Sequence, residues 1–162
     1  MARNAHEKGM KTRRQVLGNE WVDEAERTKT TFNEDFQHLV TVYAWNEIWN
    51  RPHFPHATRR LLVLAMTASL ARWDEFRLHV RAALTSGDLS EDDIKEVLLQ
   101  AAVYCGIPVA NTAFRQAREV IAEIGQRHAR TGAATRRSGK PDERRDRPEQ
   151  SRAAAKSPRR PR

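Results

Sequence analysis

The chain has 162 residues, enough for one domain and an extension, with 29 Lys+Arg against 21 Asp+Glu, a net charge of +8 and a single cysteine. Cys105 alone excludes an internal disulfide and a thiolate metal cluster. No apolar run approaches the ~18 residues of a membrane span, and the N-terminus lacks the apolar stretch of a secretory signal, so a cytoplasmic protein is expected. The charge is confined: residues 129–162 hold twelve Lys+Arg and four Asp+Glu, which leaves seventeen of each sign in residues 1–128.

That division gives a balanced helical domain, 1–128, and a basic tail, 129–162. The tail has no aromatic residue and is dominated by Gly, Pro, Ser and Arg, a composition that predicts disorder. Its charge can attract an acidic surface non-specifically, but neither a specific nucleic acid nor a membrane is expected as a partner.

Within 1–128 every strong periodicity is helical. Ala5 to Leu17 predicts a first helix ended by Gly18, and a linker carrying Trp21 follows. A second helix is expected from the N-cap Asn33 to Asn50, burying Phe36, Leu39, Val40, Tyr43 and Ile48. Pro52 and Pro55 mark the break after it. The third helix, from Pro55 or His56 to about Ala71, is apolar nearly all round, which predicts burial on every side, in a core or against another subunit. A fourth runs from Trp73 to Ser86 and stops at Gly87. Ser90 with Glu91, Asp92 and Asp93 opens a fifth, whose inward face is Ile94, Val97, Leu98, Ala101, Ala102 and Cys105. Gly106 ends it, and Pro108 starts a sixth along Val109, Thr112, Ala113, Ala117, Val120, Ile121 and Ile124. The fold class is all-α, a compact bundle of about six helices, and the apolar third helix favours a homo-oligomer.

No phosphate loop, Gly-x-Ser-x-Gly or His-Glu-x-x-His motif is present. His53 and His56 flank Phe54-Pro55 without a third ligand nearby, so neither metal nor cofactor is expected. Ionisable and aromatic residues gather instead at helix breaks. Tyr43 to Pro52 contains Trp45, Glu47, Trp49 and Arg51, and Arg59 opens the next helix. Glu75 and His79, four apart, share one helix face. Tyr104 and Asn111 flank the Gly106–Pro108 turn. Singly, each is also an ordinary structural pattern: core aromatics, or an i,i+4 ion pair worth a few tenths of a kcal/mol. Together, without metal or phosphate motifs, they point to a small anionic ligand.

Three segments, Tyr43-Ala-Trp-Asn-Glu-Ile-Trp-Asn-Arg-Pro52, Glu75-Phe-Arg-Leu-His-Val-Arg81 and Ile94 to Asn111, closely resemble the 4-carboxymuconolactone decarboxylases of aromatic catabolism, in that order and spacing. The resemblance covers about residues 5–125. It implies an alkylhydroperoxidase-like fold, assembly as a ring-like homo-oligomer such as a hexamer, and a place in the β-ketoadipate route. The peroxidases of the wider superfamily carry Cys-x-x-Cys-x-x-x-His; aligning that histidine with His79 puts Arg72 and Glu75 at the cysteine positions, so dithiol chemistry is excluded.

The implied reaction converts 4-carboxymuconolactone to 3-oxoadipate enol-lactone and CO2 without a cofactor. On that basis Arg51 and Arg59 are expected to hold the substrate carboxylates, and His79 to deliver a proton to carbon, oriented by Glu75, with the two roles open to exchange. Glu47 and Tyr104 are further expected pocket residues. Two other readings use the same residues: a superfamily relative acting on another lactone or β-keto-type acid, and a non-enzymatic oligomerisation module with a nucleic-acid-contacting tail.

Overall fold

Seven α-helices and one π-helix make up the regular structure of residues 2–138, the part of the chain that the computed structural model describes. They are α1 (Ala2–Leu17), α2 (Asn19–Arg27), α3 (Glu34–Leu39), a π-helix (Val40–Ile48), α4 (His56–Ser69), α5 (Trp73–Ser86), α6 (Glu91–Cys105) and α7 (Ile107–Ser138). The all-α expectation holds, with more helices than the six predicted. Among the described residues, no helix is long and apolar enough to cross a membrane.

Local stereochemistry sets most boundaries. Gly18, Gly87 and Gly106 stop α1, α5 and α6, all with positive φ, a region open to glycine and costly for a residue with a Cβ. Ser90 caps α6 reciprocally. Its hydroxyl accepts the Asp93 N–H at 3.1 Å, while the Asp93 carboxylate accepts the Ser90 N–H at 2.8 Å. The α4 helix ends at Ser69, short of the expected Ala71. There the Arg72 N–H donates to the Thr67 carbonyl at 2.8 Å and the Ala71 N–H to Ala68 at 3.0 Å, with Ala71 itself at φ 54°. This is a Schellman termination with alanine where glycine is the usual choice.

Several expectations fail in the single chain. The supposed linker around Trp21 is helix α2, invisible as a pattern because only Val22 is buried along it. Most of the expected inner face of the second helix points outward: Phe36 and Tyr43 are each 61% exposed, and Leu39 and Ile48 are exposed as well, while Val40 alone of that set packs against the core. The chain passes from α into π winding at Val40, and the wider turn brings Thr41, Trp45 and Trp49, four residues apart, to the inner side instead. Within the single chain, α4 buries one face: Arg60, Leu64 and Ala68 point inward, while Leu62 and Met66, with Leu70 just past its end, lie exposed on the side where the expectation allowed burial against another subunit. Cys105, expected on the inner face of α6, is also exposed.

The chain falls into two units, Met1–Arg127 and His128–Arg162. In the first, two apolar clusters form the core. One gathers Leu64, Ala68, Phe76, Val80, Ala83, Ile94, Leu98, Ala113 and Val120; the other joins Val16, Leu17, Val22, Trp45, Trp49 and Ala82. Helix α5 contributes to both. The second cluster depends on close contact between α1 and the π-helix at Gly9, where a Cβ would stand 2.1 Å from the Thr41 carbonyl oxygen. In the second unit, α7 continues to Ser138, into the stretch read from sequence as tail; residues 139–162 lie outside the described residues.

Candidate functional site

Helix α5 opens with Asp74 and Glu75 in its first turn, carboxylates placed favourably at the positive end of the dipole. Its inner residues Phe76, Val80 and Ala83 enter the larger core cluster. His79 lies among them and turns toward the smaller one. Its ring stacks on Trp49 with centroids 6.2 Å apart and planes 6° from parallel. Trp49 also packs against Trp45 at 5.1 Å and meets His56 edge-on at 5.7 Å. The π-helix and the residue that caps its end deliver Trp45 and Trp49 to this point.

His79 Nδ1 is buried and has no hydrogen-bond partner. Burial, and secondarily the positive charge of Arg60, lowers the imidazole from its ordinary 6.5 to about 4. At neutral pH the side chain is therefore uncharged. An uncharged imidazole can accept or donate a hydrogen bond.

Arg60 is the residue that sequence reasoning missed. It is fully buried in α4, in register with Leu64 and Ala68 at four-residue spacing; that register was the available signal, because a cation on the inner stripe of an apolar helix needs partners. Its Nε donates to Asp88 at 2.7 Å, and its Nη2 donates to the Val16 carbonyl at 2.6 Å and to Ser86 Oγ at 3.4 Å. Nη1 has no partner.

Arg51 and Arg59 come together, though not as parallel forks. Arg59 Nη2 donates to the Arg51 backbone carbonyl at 2.9 Å, and its guanidinium lies over Phe54 at 5.9 Å, with Nε buried and unpaired. The Arg51 side chain is exposed. Glu47 is exposed and accepts from Asn46 Nδ2 at 3.1 Å. Glu75 is exposed and makes no hydrogen bond to His79, whose orienting contact is Trp49. A neutral imidazole is cheaper to bury than a carboxylate, so His79 turns inward while Glu75 stays in water. Tyr104 is 78% exposed and lines a cavity of about 350 Å³ together with Ala65, Ser69, Val97, Ala101 and Cys105, a lining that does not include His79. Among the described residues, no three His, Cys, Asp or Glu side chains converge as metal ligands.

The sequence pattern of the Carboxymuconolactone decarboxylase family matches residues 34–119, more than half of the chain and the segment that carries Trp49, Arg60 and His79. The chain is 37% identical over 120 residues to 4-carboxymuconolactone decarboxylase of Acinetobacter baylyi, covering 74% of this chain and 89% of that protein. It is 41% identical over 106 residues to nitrosuccinic acid decarboxylase npaB of Metarhizium robertsii, covering 65% of this chain and 73% of that protein. Both relatives support carboxy-lyase chemistry. With the helical architecture, the match across the site-bearing helices and this level of identity in hand, the chain belongs to the Carboxymuconolactone decarboxylase family.

Proposed function

We propose that the chain decarboxylates 4-carboxymuconolactone to 3-oxoadipate enol-lactone, without a cofactor, in aromatic catabolism. The observation that carries this reading is the half-buried, uncharged His79 held against Trp49, with its Nδ1 shielded from water, in a chain 37% identical to a 4-carboxymuconolactone decarboxylase over 89% of that relative. The chemistry needs little more than binding and one proton. As the bond to the departing carboxylate breaks, its electron pair delocalises from the γ carbon through the ring C=C onto the lactone carbonyl oxygen. Protonation at the α carbon then places the double bond of the product. The lactone is its own electron sink, so the protein has only to hold two carboxylates, stabilise a dienolate and supply the proton.

In this reading Arg51 and Arg59 hold the carboxylates. The dianion raises the proton affinity of His79 by charge proximity, and the imidazolium formed in the complex gives its proton to the α carbon. Glu75, solvent-open one turn earlier on α5, is the second titratable group for that step. Tyr104, in the cavity beside Cys105, is left out of this assignment. The exposed Phe36, Leu39, Tyr43, Leu62 and Met66 support assembly as a homo-oligomer.

A second reading comes from the other relative. Nitrosuccinic acid is also a diacid whose carbanion has an acceptor built in, the nitro group in place of the unsaturated lactone, so one site could serve either electron sink. Assaying both compounds with the full chain separates the readings. The lactone reading predicts loss of the lactone's ultraviolet absorbance and one CO2 per lactone consumed. It also predicts that His79→Gln lowers turnover by ~10²-fold or more, the usual scale of acid–base catalysis, with the fold intact. Full activity in that variant would remove His79 from the mechanism.

A further inference from the structure

Helix α1 lies ahead of residues 34–119, the segment that matches the family pattern, yet its inner face bears on the site. Gly9, Thr12 and Val16, with Arg13 beside Thr12, recur at helical spacing and are all buried, so they form one stripe along the helix. The stripe meets the segment that carries the tryptophans. Arg13 Nη2 donates to Gln37 Oε1 at 2.9 Å, Gly9 lets the backbone approach the Thr41 carbonyl, and Val16 packs in one cluster with Trp45 and Trp49.

Thr12 makes the contact at the far end of that segment. A threonine inside a helix ordinarily turns its hydroxyl back to the carbonyl four residues earlier. Here that carbonyl, of Lys8, stands at 3.1 Å, while Asn50 Oδ1 accepts the same hydroxyl at 2.7 Å from 38 residues away in sequence. Asn50 separates two parts of the site. Before it, Trp49 closes the π-helix with its N–H on the Ala44 carbonyl at 3.0 Å, and its ring stacks on His79. After it, the Arg51 N–H donates to the Ile48 carbonyl at 3.2 Å, and the Arg51 carbonyl accepts from Arg59. A side chain that fixes Asn50 therefore fixes the turn on which the indole and Arg51 sit.

We propose that Thr12 is a positioning residue for the decarboxylation: its bond to Asn50 holds Trp49 over the His79 imidazole and so keeps that ring aimed for proton transfer. The inference rests on the reading of His79 as the proton donor, and it adds a residue from a helix outside the family segment. Thr12 acts through Asn50 and Trp49, not on the substrate. Proton transfer to carbon depends on orientation, and a misplacement of about 1 Å can cost ~10²-fold in rate.

The test uses the full chain and two readouts: turnover of 4-carboxymuconolactone, and the NMR shifts of the His79 ring protons, identified by their loss in His79→Gln. Protons over an indole face are displaced upfield, so the displacement reports how closely Trp49 covers the imidazole. Thr12→Val keeps the shape of the buried side chain and removes the hydroxyl. It should lower kcat about fivefold or more, leave KM within about twofold, and reduce the upfield displacement. Thr12→Ser, which restores the hydroxyl, should recover both. An unchanged kcat, a change confined to KM, or an unmoved His79 shift in Thr12→Val overturns the proposal.

Asn50→Ala breaks the same bond from an exposed position and decides the question if Thr12→Val does not fold. It should reproduce the fall in kcat and in the upfield displacement, and no change in either overturns the proposal. When the two substitutions are combined their losses should not add, because both remove one contact; losses that multiply in full would mean two independent effects and would overturn it equally. Failure here is separable from failure of the decarboxylase reading. Lactone turnover undiminished in His79→Gln would refute His79 as the donor, whereas a His79 shift unmoved in both Thr12→Val and Asn50→Ala would refute the positioning role and leave that reading intact.

Discussion

Acid should destabilise this fold through His79, by an amount that follows from the site. The folded imidazole titrates near 4 against an ordinary 6.5, because burial disfavours its charged form. Between those values the unfolded chain binds a proton that the folded chain refuses. Stability from this group is therefore complete above about pH 6.5 and is lost as the pH falls toward 4. Taking 6.5 for the unfolded side chain, the loss between pH 8 and pH 5 is about 2 kcal/mol. Other groups titrate over the same range, so the comparison is with His79→Gln, which cannot charge and leaves their contributions in place. Urea unfolding at both pH values, at one protein concentration, should show the wild type losing about 2 kcal/mol more than the variant, a midpoint difference of roughly 1 M. Equal losses in the two proteins would mean that His79 is not held uncharged by the fold, and the account of the site would fail with it.

The other expectations concern the scaffold and the extension. Gly9→Ala places a Cβ 2.1 Å from the Thr41 carbonyl oxygen, so α1 and the π-helix must separate. A loss of about 3 kcal/mol is expected in thermal unfolding, and an unchanged Tm would contradict the close approach. Ala71→Gly relieves a left-handed alanine at the end of α4 and should stabilise by about 0.5–1 kcal/mol, a few degrees in Tm; a lower Tm would show that the Schellman turn is not under strain. Truncation after Ser138 should leave turnover unchanged, and a large loss would give the basic extension a part in catalysis.

What could be read from the sequence is what depends on neighbours along the chain. Gly18, Gly87, Gly106 and Ser90 mark their helix ends because backbone conformation and capping are local. The face of α5 is legible for the same reason, since Phe76, Val80 and Ala83 repeat at helical spacing. The π-helix is not legible: nothing in Val40–Ile48 distinguishes it from α winding, and the inner and outer faces of that segment exchange as a result. His79 could be singled out by its spacing from Glu75, yet the group that holds it is Trp49 at the end of the π-helix, and Glu75 faces water. Arg60 shows the complementary limit. A lone arginine on an inner stripe announces an unpaired charge, but Val16, Ser86 and Asp88, the partners that make its burial tolerable, come together only in three dimensions.

The central claim is that this fold removes CO2 from a lactone diacid with a proton delivered at His79. Mixing the full chain with 4-carboxymuconolactone and following the ultraviolet absorbance of the lactone alongside CO2 release tests it most directly. The account predicts one CO2 per lactone consumed, at a rate that His79→Gln reduces ~10²-fold or more. No turnover of the lactone, or turnover undiminished in that variant, would contradict it.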